Sequence, residues 1–270
     1  KGFVKNLKER LDVLLVKRGF YQSRERAKAS IMAGIVYVDG QKSDKAGNQV
    51  DENAEIFVKE NLCPYVSRGG LKLEKSMRLW PIRLEDAVCM DIGASTGGFT
   101  DCMLQKGAQK VYAVDVGYGL LDWKLRNDPR VVVMERTNAR LLNPEMTGGE
   151  RMDFASMDVS FISIRTVLPA VRTCMKENAH LAVLVKPQFE ARREQVGKGG
   201  IVRDPKVHRE VLETVIAAMP AIGLMPQGLT VSPIKGVGGN TEFLLHLTNT
   251  ELNNAAFQAE RAIEDVLRFV

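Results

Sequence analysis

The chain has 270 residues, of which 45% are hydrophobic and 26% are charged, proportions that are usual in soluble globular proteins. A formal net charge of +5 and an isoelectric point near 9.0 favour an anionic partner, although many soluble proteins carry such an excess. The longest apolar runs, such as 181–185, are too short to span a bilayer, and residues 1–10 lack the apolar core of a signal peptide. These features argue against a membrane-spanning protein, and we expect a cytoplasmic one without a membrane partner.

The first part of the chain, residues 7–62, has the pattern of helix, helix and then short strands. A candidate N-cap, Ser23, precedes a helix that runs to Met32, and Gly34 follows where that helix would stop. Residues 35–38 predict a strand before an Asp-Gly turn, and short strands are expected near positions 50, 56 and 58. We therefore predict a small α+β domain over residues 1–62.

The second part of the chain, after Pro64, changes to alternating strands and helices. A basic connector at residues 63–82 leads into it and contains a helix that runs to Leu79. The strand candidates are 87–92, 110–116, 130–133, 153–157, 180–185, 229–231 and 241–247, and helices such as 167–176 and 207–219 lie between most of them. This alternation predicts a largely parallel, doubly wound sheet over residues 83–250. A loop without a helix joins the last two candidates and predicts an antiparallel end to the sheet, and residues 251–270 predict a C-terminal helix.

The strongest local signal is the segment 88–99, where a strand runs into a turn of glycine and small residues before a helix. Glycine there lets the backbone approach a bulky ligand, at the strand ends where open α/β sheets bind ligands. The next strand leads to Asp115, where an acid can accept hydrogen bonds from both ribose hydroxyls of an adenosine cofactor. A plain tight connection explains the turn alone equally well, and Asp115 favours the cofactor.

The spacing of the glycines distinguishes between two classes of cofactor. The turn has the form G-x-x-x-G-G after an aspartate, whereas dinucleotide sites have G-x-G-x-x-G and must hold a pyrophosphate. S-adenosylmethionine has no phosphate, and Asp91 could hold the ammonium of its amino-acid tail. Asn138, after the third strand, is a weaker candidate for the adenine edge and an equally good helix cap. The candidate cofactor-binding residues are Asp91, Gly93, Ala94, Ser95, Thr96, Gly97, Gly98, Asp115 and Asn138.

Four charged residues stand at strand ends or in the connector, and we treat them as candidate catalytic residues. Asp158 ends the fourth strand, Lys186 ends the fifth, Glu242 starts the last one and Lys72 lies in the basic connector. A surface ion pair is the better explanation for any one of them alone. Together, two lysines and two acids that converge at one sheet edge would satisfy one another's charges.

These residue types suit methyl transfer to a ribose 2′-hydroxyl, which is a very weak acid. A lysine can remove its proton only when the pKa of that lysine is lowered by burial and by a second nearby cation. We therefore expect Lys186 to be the base and Lys72 to be the second cation. Asp158 would orient the ammonium of Lys186, and Glu242 would hold Lys72 or the acceptor ribose.

Five motifs together resemble the TlyA, or haemolysin A, family. They are DIGASTGGFTD at 91–101, VDVGYG at 114–119, DVSFIS at 158–163, VKPQFE at 185–190 and VGKGGIVRDP at 196–205. The catalytic part is similar to FtsJ-type ribose 2′-O-methyltransferases, and the first part is similar to the RNA-binding domain of the S-four type. The resemblance extends from about residue 10 to residue 247.

The resemblance implies a Rossmann-like class I methyltransferase fold, with a seven-stranded, mostly parallel sheet and a small N-terminal α+β RNA-binding domain. It also implies methyl transfer from S-adenosylmethionine to the 2′-hydroxyl of cytidines in ribosomal RNA, so that the partner is ribosomal RNA or a ribosomal subunit. The family's Lys-Asp-Lys-Glu tetrad falls on Lys72, Asp158, Lys186 and Glu242.

Basic residues in three places are candidates for binding RNA. They are Arg10, Lys17, Arg18, Arg24, Lys28, Arg68, Lys198 and Arg203. The first five would present one basic face to phosphates, although a solvated helix face is the plainer interpretation without the resemblance. For the last three, a hinge or an ordinary surface loop explains the sequence equally well.

The remaining composition gives no sign of a metal. The 4 cysteines and 3 histidines are scattered and show no ligand spacing, so we expect reduced, buried thiols and no metal. The sequence does not fix the oligomeric state, and we expect a monomer.

Three rival functions stay open at the level of the sequence. A membrane-lysing toxin would agree with the haemolysin name, but the sequence offers neither a spanning helix nor a lytic motif. A non-catalytic RNA-binding or ribosome-assembly factor would keep the same fold, and the intact tetrad argues against it. A nicotinamide-dependent dehydrogenase is disfavoured by the glycine spacing.

Overall fold

A computed structural model describes residues 8–21, 23–59, 63–250 and 256–270 of the chain. The chain forms two compact units, Lys1–Pro64 and Tyr65–Val270. Residues 7 and 62, which bound the first predicted region, and residues 251–255, where the predicted C-terminal helix starts, lie outside the described residues.

The first unit is a small α+β domain, as the sequence predicts. Its elements are β1 (Lys8–Arg10), α1 (Leu11–Lys17), α2 (Arg24–Met32), β2 (Val36–Val38), β3 (Gln41–Lys42), β4 (Gln49–Asp51) and β5 (Ile56–Val58). β1 pairs with β4, while β3, β2 and β5 form a second antiparallel sheet. Side chains of both helices and of β2 share one buried apolar core.

The ends of α2 follow the predicted signals. The hydroxyl of Ser23 accepts a hydrogen bond from the Arg26 amide and so caps the first turn. Gly34 has a φ of +69°, a left-handed conformation that glycine adopts without strain and that lets the chain leave the helix.

The second unit is built on a seven-stranded sheet. Its strands are β6 (Val88–Ile92), β7 (Lys110–Val114), β8 (Val131–Met134), β9 (Met152–Met157), β10 (Met175–Val185), β11 (Met225–Val231) and β12 (Phe243–Thr248). Its helices are α3 (Gly69–Leu79), α4 (Gly98–Gln105), α5 (Trp123–Arg126), α6 (Ile164–Thr173), α7 (Pro187–Glu190), α8 (Pro205–Ile222) and α9 (Ala259–Leu267). Short 3-10 turns lie at Ala139–Leu141, Pro144–Thr147, Arg193–Gln195 and Val237–Gly239.

The strand order across this sheet is β11-β12-β10-β9-β6-β7-β8. Neighbouring strands are parallel except at β12, which runs antiparallel to both β10 and β11. The prediction of a mostly parallel sheet with an antiparallel end is therefore confirmed. After β8 the chain returns to the other side of β6 to form β9, so the carboxyl ends of β6 and β9 flank the crevice in which such sheets bind ligands.

The sheet core explains why these strands are so apolar. β6 is buried along its whole length, and so are the last residues of β10, from Leu181 to Val185. Apolar side chains of α6, α8 and α9 pack against the sheet in one continuous cluster. Within the described residues, no helix combines the length and the apolar character that a membrane span requires.

Two helices begin earlier than the sequence pattern predicts, because a capping residue precedes each one. The helix expected over 167–176 spans Ile164–Thr173, and the Ser163 hydroxyl accepts a hydrogen bond from the Arg165 amide at its start. The helix expected over 207–219 spans Pro205–Ile222, with the carboxylate of Asp204 as its cap.

Strand bounds also differ from the prediction. The strand expected over 110–116 ends at Val114, because the Asp115 carboxylate accepts a hydrogen bond from the Gly117 amide and turns the chain. The strands expected over 180–185 and 229–231 begin earlier, at Met175 and Met225. The last strand begins at Phe243 and not at residue 241, so position 242 lies just outside it.

Candidate active site

The four candidate catalytic residues lie at the carboxyl edge of the parallel strands. Asp158 follows β9 and Lys186 follows β10, while Glu242 precedes β12, which runs in the opposite direction. Lys72 lies in the first turn of α3. All four line one cavity of about 390 Å³, which also reaches the glycine turn after β6. The sequence placed these residues far apart, and the sheet order brings them together.

The four side chains form one continuous series of ion pairs. The Lys186 ammonium lies 2.6 Å from Oδ1 of Asp158, and the Lys72 ammonium lies 3.2 Å from Oδ2 of the same carboxylate. Lys72 also lies 2.7 Å from Oε2 of Glu242. Asp158 therefore links the two lysines, and each buried charge has an opposite charge beside it, as burial requires.

The two lysines differ in their partners. Burial lowers the pKa of the Lys72 ammonium, but the charges of Asp158 and Glu242 outweigh burial and hold that pKa above its ordinary value. Lys186 shares a single carboxylate with Lys72, and its ammonium also donates a hydrogen bond of 2.9 Å to the Ser160 hydroxyl. Lys72 is thus the more firmly held cation, and Lys186 has a neutral partner on one side.

The glycine turn is pressed against the end of β9. Gly93 has a φ of +81°, and a Cβ at this position would lie 2.5 Å from the backbone oxygen of Asp158. Any side chain there would push the turn away from the candidate catalytic acid. Gly93 is therefore needed so that the ends of β6 and β9 can lie close together beside the cavity.

Asp91, the last residue but one of β6, is 1% exposed and lines the same cavity. Its Oδ2 accepts hydrogen bonds from the amide and hydroxyl of Thr100 at 2.9 and 2.7 Å, and its Oδ1 accepts one from the Ser156 hydroxyl at 3.1 Å. Burial raises the pKa of Asp91 to about 6, even though these hydrogen bonds act in the opposite direction. A cation bound beside it would favour the ionised carboxylate.

A second cavity of about 420 Å³ adjoins the first and shares Gly93, Ser95, Asp158 and Ser160 with it. Its lining is mostly apolar and includes Val114, Leu120 and Ile162. Asp115 lines it as well, with one carboxylate oxygen accepting from the Ser95 amide at 2.8 Å and the other from the Gly117 amide at 2.7 Å.

Asn138 lines this apolar cavity and also caps the 3-10 turn at Ala139–Leu141, since its side-chain oxygen accepts from the Arg140 amide at 3.1 Å. Both interpretations offered by the sequence are therefore compatible with its position. Ala94, Thr96 and Gly98, three further members of the glycine turn, line the polar cavity. Gly97 lines neither cavity and precedes α4 as its N-cap, with a φ of +96°.

The two cavities together fit a ligand that has a charged group at one end, a ribose in the middle and an apolar ring at the other end. Asp91 offers an acid at the polar end, Asp115 offers carboxylate oxygens at the junction, and the second cavity offers apolar walls. S-adenosylmethionine has an ammonium, a ribose and an adenine in that order. The donor set therefore suits this cofactor.

Most of the candidate RNA-binding residues in the first unit are held by intramolecular contacts. The fully buried carboxylate of Asp12 accepts two hydrogen bonds from Arg10, at 3.0 and 3.1 Å, and one from Arg24 at 2.9 Å. The hydrogen bond from Arg10 is the main reason why the pKa of Asp12 is lowered to about 2. Both guanidinium groups remain about half exposed, so Asp12 fixes them without hiding them.

The other candidates differ in their surroundings. Lys17 pairs with Glu52 at 2.8 Å, and Arg18 donates to the backbone oxygens of Ala54 and Glu52. Lys28 lies on α2, one turn after Arg24. In the second unit, Arg68 lines the polar cavity, whereas Lys198 and Arg203 are exposed on a loop and line neither cavity described above.

Sequence reasoning missed several polar residues of the cleft. Ser160 stands two residues after Asp158, so its place in the motif was a usable signal. Thr100 and Ser156, which hold Asp91, had no such signal, because their contacts depend on the register between α4, β6 and β9. Lys235 also lines the polar cavity, from the loop between β11 and β12.

Comparisons with known proteins agree with this architecture. Residues 65–249 match the FtsJ-like methyltransferase family, and residues 9–56 match the S4 domain. The chain is 56% identical over 240 residues to YqxC of Bacillus subtilis, a candidate rRNA methyltransferase, covering 89% of this chain and 85% of that protein. It is 44% identical over 256 residues to the 16S/23S rRNA (cytidine-2′-O)-methyltransferase TlyA of Mycobacterium tuberculosis, covering 94% and 95% of the two chains.

Among solved structures, a candidate hemolysin from Streptococcus thermophilus is similar along nearly its whole length. The TM-score is 0.76 at 46% sequence identity, and the match covers 97% of each chain. The hemolysin and methyltransferase names thus both occur among proteins similar to this chain. The chain belongs to the TlyA family of FtsJ-like methyltransferases, with an S4 domain preceding the methyltransferase domain.

Proposed function

We propose that this protein transfers a methyl group from S-adenosylmethionine to the ribose 2′-hydroxyl of a cytidine in ribosomal RNA. The observation that carries the proposal is the series of ion pairs from Lys186 through Asp158 and Lys72 to Glu242, beside the glycine turn. The Mycobacterium tuberculosis relative, a 16S/23S rRNA (cytidine-2′-O)-methyltransferase, supports the same reaction.

The cofactor site comprises the two adjoining cavities. Asp91 holds the ammonium of the amino-acid tail, Asp115 accepts hydrogen bonds from the ribose hydroxyls, and the apolar cavity takes the adenine, with Asn138 at its edge. Gly93–Gly98 leave the space in which the tail lies. When bound, S-adenosylmethionine supplies an electrophilic methyl group on a positively charged sulfur.

Lys186 is the base in this proposal, and Lys72 is not. Two carboxylates keep the pKa of Lys72 high despite its burial, so Lys72 stays protonated. Lys186 has a single carboxylate partner, shared with Lys72, and a neutral hydroxyl partner in Ser160, so we assign the role of base to Lys186. As a neutral amine, Lys186 accepts the proton of the 2′-hydroxyl at Nζ.

The other members of the tetrad position these groups. Asp158 holds Nζ of Lys186 in place and stabilises it once it has become an ammonium again. Glu242 keeps Lys72 beside Asp158, so that a fixed positive charge faces the developing alkoxide. Because methyl transfer is in line, alignment of the oxygen with the methyl group supplies much of the rate.

Each part of the chain has its own role in the proposed reaction. We propose that residues 1–62 bind RNA, that 63–82 connect the two parts and contribute Lys72, and that 83–250 bind the cofactor and carry the other members of the tetrad. Arg10 and Arg24, fixed by Asp12, contact phosphates, together with Lys17, Arg18 and Lys28. Arg68, Lys198 and Arg203 add contacts from the second unit. A cytoplasmic, monomeric enzyme without a metal agrees with this role.

Methyl transfer can be measured with S-adenosylmethionine labelled with tritium in its methyl group, using isolated ribosomal subunits and naked ribosomal RNA as acceptors. The wild type is compared with Lys186→Met and with Lys106→Gln, a matched control. Lys106 is exposed and follows α4, at the opposite edge of the sheet from the cleft. We expect transfer by the wild type and the control and none by Lys186→Met.

Three outcomes would contradict the proposal or a part of it. Wild-type protein that binds S-adenosylmethionine in a calorimeter but labels no ribosomal RNA would point to another acceptor. Protein that binds RNA and no cofactor would favour a non-catalytic assembly factor. Label that persists in folded Lys186→Met would exclude Lys186 as the base.

A further inference from the structure

The loop between β11 and β12 brings a cation into the cleft that the proposed reaction does not use. Because β11 runs parallel to β10, this loop lies at the same sheet edge as the glycine turn. Lys235 of this loop lines the polar cavity together with Lys72 and Lys186. Its ammonium donates a hydrogen bond of 2.8 Å to the hydroxyl of Thr241, which is itself buried. Lys235 is thus tethered at one point while it remains exposed to solvent.

The charges that line this cavity do not cancel, because it is lined by four cations, Arg68, Lys72, Lys186 and Lys235, and by three acids, Asp91, Asp158 and Glu242. The ammonium groups of Lys72 and Lys186 meet the carboxylates of Asp158 and Glu242, and these four charges sum to zero. Asp91, the remaining acid, is matched by the ammonium of the proposed cofactor. In the part of the chain that the structure describes, no carboxylate lies within ion-pair distance of Lys235, whose polar partner is Thr241. Its charge is therefore available to an anion.

The sheet order shows on which side of the base that anion would lie. β11 is separated from β6, which carries the glycine turn, by β12, β10 and β9. Adjacent strands are about 4.8 Å apart, so the ends of β11 and β6, at which the two loops begin, are separated by about 19 Å. Lys186 and Asp158 follow β10 and β9, so they lie between these two strand ends. Lys235 therefore enters the cleft on the side of Lys186 that is opposite to the glycine turn.

We propose that Lys235 binds a backbone phosphate of the RNA beside the acceptor ribose. The inference rests on the proposed function, because it takes the acceptor to be a nucleotide within an RNA strand. Each ribose in such a strand is flanked by phosphodiesters, each carrying one negative charge, and lysine binds a phosphate as a point charge. One phosphate held on the far side of Lys186 keeps the ribose from sliding, so that its 2′-hydroxyl stays beside Nζ.

The test compares Lys235→Gln with Lys235→Arg and with the control Lys106→Gln, which removes the same charge at the opposite sheet edge. Three quantities are measured: the KM for ribosomal RNA, the Kd for the same RNA without methyl transfer, and the Kd for S-adenosylmethionine. We expect Lys235→Gln to raise the KM and Kd for RNA about tenfold, the loss typical of one charged contact. The slope of log affinity against log salt should flatten by about 0.7, the value for one phosphate of a single strand.

The matched variants separate a charge effect from a structural one. Lys235→Arg keeps the charge and should stay near the wild type, and Lys106→Gln should leave both the affinity and the slope unchanged. Equal RNA affinity and equal salt slopes for Lys235→Gln and Lys106→Gln would overturn the inference. A weaker Kd for S-adenosylmethionine with unchanged RNA binding would also overturn it, since Lys235 would then hold the cofactor carboxylate. Failure of the wild type to methylate RNA is a separate result that contradicts the proposed function, because RNA binding is measured independently.

Discussion

Lys72→Met should be far more costly to the stability of the protein than an ordinary lysine substitution. The Lys72 ammonium is paired with both Asp158 and Glu242, and the Glu242 side chain is only 3% exposed. Among the described contacts, Lys72 is the cation that meets Glu242. Removal of this cation leaves a carboxylate in a place from which water is almost excluded.

The size of the effect follows from that burial. Breaking a buried ion pair by removing one partner costs about 3–5 kcal/mol, whereas a surface pair is worth about 0–1 kcal/mol. Asp158 keeps its contact with Lys186, so the cost comes mainly from Glu242. The double variant Lys72→Met/Glu242→Leu removes both charges and fills similar space, and it should recover to within about 1–2 kcal/mol of the wild type.

Urea unfolding followed by tryptophan fluorescence is a suitable assay. The chain has 2 tryptophans, Trp80 and Trp123, and both belong to the second compact unit, so the signal reports on that unit. Variants with an unchanged slope of free energy against urea can be compared directly. Both variants should lack methyl transfer, so a stable but inactive double variant would separate folding from chemistry.

A small loss for Lys72→Met, below about 1 kcal/mol, would show that water reaches the pair in solution. Strict additivity of the Lys72→Met and Glu242→Leu losses would show that the two charges do not interact. Either result would refute the reasoning that the tetrad is a buried, coupled unit.

Three further predictions concern Lys186, Asp91 and Asp12. Lys186→Met should lower single-turnover methyl transfer by about 10²–10⁴-fold, the contribution of a general base, while the calorimetric Kd for S-adenosylmethionine changes little. Because burial raises the pKa of Asp91 to about 6, its carboxylate is ionised above that pH and protonated below it. Cofactor affinity measured from pH 8 to pH 5 should therefore weaken below about 6 in the wild type, and a flat profile would exclude Asp91 as the ammonium partner. Asp12→Asn should weaken salt-dependent RNA binding by releasing Arg10 and Arg24, with kcat unchanged, and unaltered affinity in a filter-binding assay would show that these arginines need no fixing.

The parts of the site that the sequence predicts are those encoded within one short segment. The turn at 93–98 follows directly from glycines after an apolar strand, and Asp115 follows from its place at the end of the next strand. Local chemistry sets these positions, so no knowledge of the tertiary structure is needed.

Convergence of the tetrad is a different kind of prediction. Lys72 and Glu242 are 170 positions apart, and their contact depends on the order of strands across the sheet. The motifs resemble a family in which these residues act together, and that resemblance supplied what spacing could not. The individual partners, such as the shared Asp158 carboxylate and the Ser160 hydroxyl, emerge only from side-chain geometry.

For the basic face of the first unit, too, the contacts of the side chains cannot be predicted from the sequence pattern. The sequence predicts one basic face from these cations, yet Lys17 and Arg18 contact residues more than 30 positions away, around Glu52. In the sequence, Asp12 has the pattern of an ordinary polar helix residue. In the structure its side chain is fully buried and forms ion pairs with two arginines. Burial of a charged residue depends on which elements close over it, and periodicity does not encode that information.

The most direct test of the central claim is the chemical identity of the methylated nucleoside. Ribosomal RNA treated with the enzyme and S-adenosylmethionine can be digested to nucleosides and separated by liquid chromatography with mass detection. A lysine base beside Asp158 predicts 2′-O-methylcytidine with the wild type and its absence with Lys186→Met. A methyl group found on a base, or 2′-O-methylcytidine formed equally well by Lys186→Met, would contradict the claim.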